Sequence, residues 1–366
     1  MKYLINVANP FLDSNETNSV KKTLSKKWIS MGKTVEKFEK KIAKYIGAKY
    51  CVAMNNGTST LDALVKVFNL KKNDEVLVPT FNYISSANVV KYNHLKLKLS
   101  DVDFKTFNIN NENIEKNISK KTKLIILADI KGLPIDYDKI LKNKKIKNIP
   151  IISDSAEAFG SKYKGKCVGS QVLAHSFSFF ANKNITTGEG GAITTNSNLI
   201  YKKLKIIRNQ GQEGRYNHTM LGNNYRMTDI AASVGIEQLK KIRKIISKKN
   251  KIVDYYNKSF KNNRFIETPY LPTYVTQHSW YNYFIRVNSK VRNKLIKFLE
   301  KKGIETRVSF PPIHIQPFYK KNEKFNYYQF PNANKIYSEI IDLPIWAGLS
   351  VKKQKYIIDS INNFFD

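Results

Sequence analysis

Four apolar runs recur in the first half of the chain at the spacing a parallel sheet demands. Residues 75–79, 96–102, 123–128 and 149–154 each read as a buried strand, with helical patterning between them. Parallel neighbours need a crossover connection, and the alternation of strand and helix supplies it. The pattern runs to about residue 245 and predicts an α/β domain with a mostly parallel sheet. From about 253 it changes: a strand at 281–287, a helix at 292–302 and a Pro-rich loop from 307 to 319 read as a smaller α+β domain. The expected division is 1–250 for the large domain and 251–366 for the small one, and 366 residues suit two such units.

Other elements fill in around this series. Residues 4–7 read as a short strand or arm, 19–24 as helical and 28–32 as a loop. Val35, Phe38 and Ile42 fall at helical spacing, and 50–54 reads as a strand. Ile230, Val234, Leu239, Ile242 and Ile246 mark a long helix that starts near Thr228. Its basic end, 240–251, reads as a solvated face between the domains.

Charge narrows the classes of partner. Lys+Arg number 63 against 29 Asp+Glu, a net charge of +34, yet only eight of the basic residues are arginine. Base readout in nucleic acid leans on arginine, and these lysines are scattered, so no nucleic-acid partner is expected. The field would still draw anionic substrates. Two cysteines make no disulfide framework and fit a reducing cytoplasm. No stretch is apolar enough for a membrane span or signal peptide.

Chemistry concentrates where the predicted strands end. In 175–195 an apolar run with Phe177, Phe179 and Phe180 stops at Lys183, and the turn-forming 184–191 follows. A lysine there, partly desolvated, has a lowered pKa and gains nucleophilicity. Its common partner is the carbonyl of pyridoxal phosphate. A solvated hairpin lysine is the plainer alternative. Asp154 ends the 149–154 strand, at the edge where open α/β sheets bind ligands, and could hold a pyridine nitrogen protonated. It could equally cap a helix at 155–159. Residues 55–60, Asn-Asn-Gly-Thr-Ser-Thr, lead from a strand into a helix. Such an N-terminus suits a phosphate, although capping by Thr58 or Ser59 explains it as well. Tyr83, beyond the 75–79 strand, could stack on a flat cofactor. No metal is expected.

Together these pieces resemble a known family. They are Trp28-Ile29-Ser30-Met31-Gly32, Asn56-Gly57-Thr58, Pro79-Thr80-Phe81-Asn82-Tyr83, the Asp154 strand and Phe177-Ser178-Phe179 ahead of Lys183. Thr187-Gly188-Glu189-Gly190-Gly191, Asn224-Tyr225-Arg226-Met227-Thr228 and the loop of His314, Pro317 and Tyr319 complete the set. Over essentially the whole chain they resemble the DegT/DnrJ/EryC1/StrS sugar aminotransferases, which aminate nucleotide-linked keto sugars. The resemblance implies the aspartate-aminotransferase-like fold (fold type I), pyridoxal 5'-phosphate, L-glutamate as donor, and a homodimer with shared active sites.

Position by position, the resemblance implies Lys183 as the Schiff-base lysine and Asp154 as partner of the pyridine nitrogen. It implies Tyr83 as the stacking aromatic, and Gly57, Thr58, Ser59 and Ser178 as the phosphate cradle. Asn224 would reach the phosphate from the neighbouring subunit. Glu157 would lie beside the cofactor's phenolic oxygen, where many relatives carry Gln or His. Trp28, Ser30, Arg226, His314 and Tyr319 are implied substrate contacts. Residues 154–160 and 180–191 look most like the branch that aminates C4 of a GDP-linked 4-keto-6-deoxy sugar. UDP- or dTDP-linked keto sugars, aminated at C3 or C4, are alternatives, as is a sugar-nucleotide-binding protein without turnover. Lys183 argues against the dehydratase branch, which carries histidine there. The chain departs from the pattern at Asp129-Ile130-Lys131-Gly132, where many relatives have His-x-x-Gly, and at Asn223, where an aromatic is usual.

Overall fold

The computed structural model describes residues 3–365. Its strands are β1 (Tyr50–Met54), β2 (Glu75–Pro79), β3 (Lys96–Ser100), β4 (Thr122–Ala128), β5 (Ile151–Asp154), β6 (Lys162–Tyr163), β7 (Lys166–Cys167), β8 (Ala174–Ser178), β9 (Gly191–Thr195), β10 (Val275–Gln277), β11 (Tyr283–Arg286) and β12 (Ile340–Leu343). Seven of them form one sheet in the order β1-β9-β8-β5-β4-β2-β3. The β8, β5, β4, β2 and β3 neighbours are parallel, and β9 runs antiparallel to both β8 and β1. The mostly parallel sheet expected from the strand series is therefore present. Its central strands are covered on both faces, which is why β4 is apolar almost throughout: Leu124 to Ala128 are all buried.

Helices cover the sheet. Helix Lys33–Ile46 buries Val35, Phe38, Ile42 and Ile46 on one stripe. The first helix begins at Ser14, earlier than its apolar pattern suggests, because Asp13 and Glu16 form a capping box. The 4–7 segment is an arm with a single bridge from Ile5 to Ile304.

A second core lies around β11 and β12, an antiparallel pair. Ile285, Leu295, Leu299, Ile341, Leu343, Ile357 and Ile361 pack there with Tyr256 and Phe260. Those last two belong to helix Asp229–Phe260, whose earlier turns bury Ile236, Ile242 and Ile246 under the main sheet. This helix, capped by Thr228, runs unbroken past residue 250, where the sequence suggested a boundary. Its 240–251 stretch is not simply solvated. Lys249 is buried, and Lys241 pairs with Asp13 and Glu16. No described helix is long and apolar enough to cross a membrane.

Candidate active site

The strand register brings Ala128, Asp154 and Ser176 level across β4, β5 and β8. The segments leaving the carboxyl ends of these strands and of β1 and β2 meet around one cavity of about 630 Å³. Asn56, Gly57, Thr58 and Ser59 follow β1, and Asn82 and Tyr83 follow β2. Asp129 and Ile130 follow β4, Asp154 and Glu157 end and follow β5, and Ser178 and Lys183 end and follow β8.

Helix Gly57–Val67 points its N-terminus into this cavity. Asn56, and neither Thr58 nor Ser59, is the cap: its side chain accepts from the Ser59 amide at 2.8 Å. Gly57 permits a close approach, since a Cβ there would stand 2.9 Å from the Ser178 Cβ. The Thr58 and Ser85 hydroxyls lie 2.9 Å apart beside it. First-turn amides, a dipole and hydroxyls make this a place for a phosphate.

Asp154 is buried. It accepts from Asn82 Nδ2 at 3.1 Å and from the Ala156 amide at 3.2 Å. Turns follow it, so it caps no helix. Burial raises its pKa, and those two hydrogen bonds only partly oppose the rise. Beneath it, Asp129 accepts from Tyr137, Ser153 and Ser155, and Ser155 in turn meets His175 Nδ1 at 2.9 Å. Burial lowers the His175 pKa to about 3, which keeps it neutral.

Lys183 sits five residues beyond the end of β8, in a turn closed by its own amide to the Phe180 carbonyl at 2.9 Å. Its Nζ lies 3.7 Å from Glu157 Oε1 and 3.9 Å from the centroid of the Tyr281 ring. The sequence suggests a lowered pKa; the structure reverses the sign. Burial pushes the ammonium down, but Tyr281, Glu157 and Asp154 outweigh it and hold the pKa above the ordinary lysine value. Glu157 is buried and its Oε2 accepts from the Lys131 amide at 2.6 Å, while Oε1 makes no hydrogen bond among the described residues. Burial raises its pKa against the pull of Lys183 and Lys131. The Lys131 side chain turns away, into a buried pair with Asp342 at 2.6 Å. The departure at 129–132 is Asp129 in the place of His, and that carboxylate is committed to Tyr137, Ser153 and Ser155.

Tyr83 stands half exposed at the rim, edge-on to Phe310. Four other sequence candidates lie off the cavity lining. Trp28 and Ser30 are exposed on the loop after the first helix, and the Ser30 carbonyl accepts from the Asp229 amide. Asn224 is exposed and bridges to Asn209, and Arg226 donates to Asn209 Oδ1 at 2.7 Å. Two more are committed to packing. His314 is buried against Phe330, with Nδ1 at Thr80 Oγ1 (2.8 Å) and Nε2 at Asn334 Oδ1 (2.9 Å). Tyr319 is buried and donates to Asn88 Oδ1 at 2.7 Å. The resemblance implies both as substrate contacts, and here both side chains are buried. Sequence reasoning missed Tyr281, which reads only as the start of a strand, and Asn82, whose tie to Asp154 crosses the intervening β4.

The fold and the site define a pyridoxal-phosphate-dependent aminotransferase of fold type I. Residues 10–362 match the model of the DegT/DnrJ/EryC1/StrS aminotransferase family, and the chain belongs to that family. Among its relatives, GDP-perosamine synthase of Escherichia coli O157:H7 is 37% identical over 100% of this chain and 99% of its own. The dTDP-3-amino-3,6-dideoxy-alpha-D-galactopyranose transaminase of Aneurinibacillus thermoaerophilus is 31% identical over 97% and 99%. Spr1654 of Streptococcus pneumoniae, solved in a PLP form, superposes with a TM-score of 0.92 at 31% identity, covering 99% of this chain and 98% of its own. The cofactor is pyridoxal phosphate. The residues present fit it: a close glycine approach at a helix N-terminus, a buried carboxylate, and an amine beside an unpartnered buried Glu157 oxygen.

Proposed function

We propose that the protein transfers an amino group from L-glutamate to C4 of a nucleotide-linked 4-keto-6-deoxy sugar, with a GDP sugar favoured. One observation carries this reading: Lys183, Asp154, Glu157 and the start of helix Gly57–Val67 line a single cavity. The full-length similarity to GDP-perosamine synthase supports the choice of sugar and nucleotide.

Bound pyridoxal phosphate would supply an electron sink for the bonds that break at the amino-bearing carbon. Gly57, Thr58, Ser59 and Ser178 would hold its phosphate. Asp154, fixed by Asn82, would keep the pyridine nitrogen protonated. Glu157 Oε1 would face the phenolic oxygen, and Tyr83 would cover the ring. Lys183 would anchor the cofactor through its amine. Once free, the same amine would move the proton between the cofactor carbon and the sugar carbon as general acid and base. Trp28, Ser30, Asn224 and Arg226 stand outside their own chain's cavity, which favours a homodimer in which they serve the neighbouring site. A cytoplasmic location completes the reading, in keeping with the two free thiols.

A dTDP- or UDP-linked keto sugar is the second reading, favoured by the similarity to the dTDP-sugar transaminase. The test is a screen of GDP-, UDP- and dTDP-linked 4-keto-6-deoxy sugars with L-glutamate and pyridoxal phosphate, read by product mass. An amino sugar from the GDP substrate above the others supports the proposal. Product only from another nucleotide selects the second reading. Cofactor absorbance that glutamate fails to bleach, with no product from any sugar, overturns both in favour of a protein that binds without turnover.

A further inference from the structure

Lys249 lies on helix Asp229–Phe260, outside the residues that line the cavity, and its side chain is buried. Its Nζ donates to Asn184 Oδ1 at 2.7 Å and to the Trp280 carbonyl at 2.9 Å. Asn184 directly follows Lys183, and Trp280 directly precedes Tyr281. One amino group therefore ties together the two segments whose side chains meet 3.9 Å apart, the Lys183 ammonium and the Tyr281 ring. Both tied segments are held further. Asn184 Nδ2 donates to the Phe159 carbonyl at 3.3 Å, and the Trp280 amide donates to His278 Nδ1 at 2.8 Å. Trp280 has φ +51°, a left-handed backbone that a non-glycine residue keeps only when its surroundings over-determine it. The bond from Lys249 to its carbonyl is one of those constraints.

We propose that Lys249 is a positioning residue, holding the Tyr281 ring against the Lys183 amino group and so setting the proton affinity of that amine. The proposal rests on Lys183 being the reactive amine. Burying an amine is costly, and burial lowers the Lys249 pKa to about 7. Either protonation state keeps enough N–H groups for both acceptors, so the tie survives titration. The titratable groups facing Lys183 are Tyr281, Glu157 and Asp154, and His278 faces Lys249. A cation over a desolvated ring is favoured by the ring's quadrupole, so displacing Tyr281 lowers the affinity of Lys183 for its proton.

The experiment reads Lys183 directly in the cofactor-free protein, by acetylation across a pH series followed by peptide mass spectrometry. Lys249→Met and Tyr281→Leu should each lower the labelling midpoint by about one pH unit, a tenfold change in proton affinity. The double variant should move no further than Tyr281→Leu alone, because the two act through one contact. An unmoved midpoint in folded Lys249→Met, or shifts that add in the double variant, overturns the proposal. Where Lys249→Met fails to fold, Asn184→Leu removes one of its acceptors and carries the same expectation; an unmoved midpoint there also overturns it. Borohydride trapping of pyridoxal phosphate on wild-type Lys183 tests the underlying reading separately.

Discussion

Glu157 Oε1 faces Lys183 Nζ across 3.7 Å, too far for a hydrogen bond and with no other partner for the oxygen among the described residues. The carboxyl is held from behind by the Lys131 amide, so Oε1 stays aimed into the cavity.

Burial raises the Glu157 pKa, the sign that favours a neutral carboxylic acid able to donate to an anionic oxygen. Glu157→Gln donates a similar bond without titrating. It should keep cofactor binding and activity near neutral pH, while wild type loses more activity on the alkaline limb. The linkage has the same sign. A carboxyl with a raised folded pKa contributes stability that is complete below its unfolded pKa and lost as pH rises through the folded value. Wild type should therefore lose ground to Glu157→Gln in cofactor-free unfolding midpoints as pH rises. Superimposable alkaline profiles would refute the role.

Gly57→Ala sets two effects against each other. Helix propensity favours alanine, by roughly 0.5–1 kcal/mol in a helix interior and by less at the first helical position, which Gly57 holds. The new Cβ, however, meets the Ser178 Cβ at 2.9 Å and must push strand end and helix start apart. Pyridoxal phosphate affinity should fall about tenfold, roughly 1.4 kcal/mol, with little change in the melting of cofactor-free protein. Titration of absorbance against added cofactor checks it, and wild-type affinity would remove Gly57 from the phosphate site.

What was legible in the sequence follows from what each feature depends on. The strand ending at Asp154 read correctly because a strand buried on both faces is a run of apolar residues; β8 did not, since its buried Ala-His-Ser-Phe-Ser is no apolar run and it ends at Ser178, short of the stretch that the sequence carries to Lys183. Parallel order then puts their ends together. Tyr281 did not read, because its contact with Lys183 is made across 98 residues of chain and depends on where β11 docks. Lys249 was misread for a different reason. It occupies the stripe of Ile242, Ile246 and Val253, all buried, at helical spacing. The periodicity marked the position as inward, but a lysine among lysines suggested solvent. The capping box at Asp13 and Glu16 extended a helix through polar residues that carry no apolar stripe.

Lys131→Met should be among the most damaging changes outside the cavity. It leaves Asp342 buried with only Asn282 and Ser309 as partners. Removing one member of a buried pair costs about 3–5 kcal/mol. Urea unfolding of cofactor-free protein measures this, and Lys131→Met with Asp342→Leu should recover part of it. A loss under about 1 kcal/mol in the single variant would mean that the pair is solvated.

If Asn224 serves a neighbouring site, mixing Lys183→Ala and Asn224→Ala subunits should restore activity to a fraction of sites. Either variant alone should be impaired, and Lys183→Ala alone should be folded, colourless and inactive. Confirmed subunit exchange with no recovery would place Asn224 outside a shared site.

The helix Asp229–Phe260 has 32 residues, roughly 48 Å at 1.5 Å per residue. One half packs under the sheet and the other inside the second core. A hinge needs residues that can absorb a change in φ and ψ, and bending this rod near residue 250 would break its own backbone hydrogen bonds. The two cores are thus splinted at a fixed separation. Swinging one over the other at that point is disfavoured, and access for a bulky substrate is left to the loops at the cavity rim.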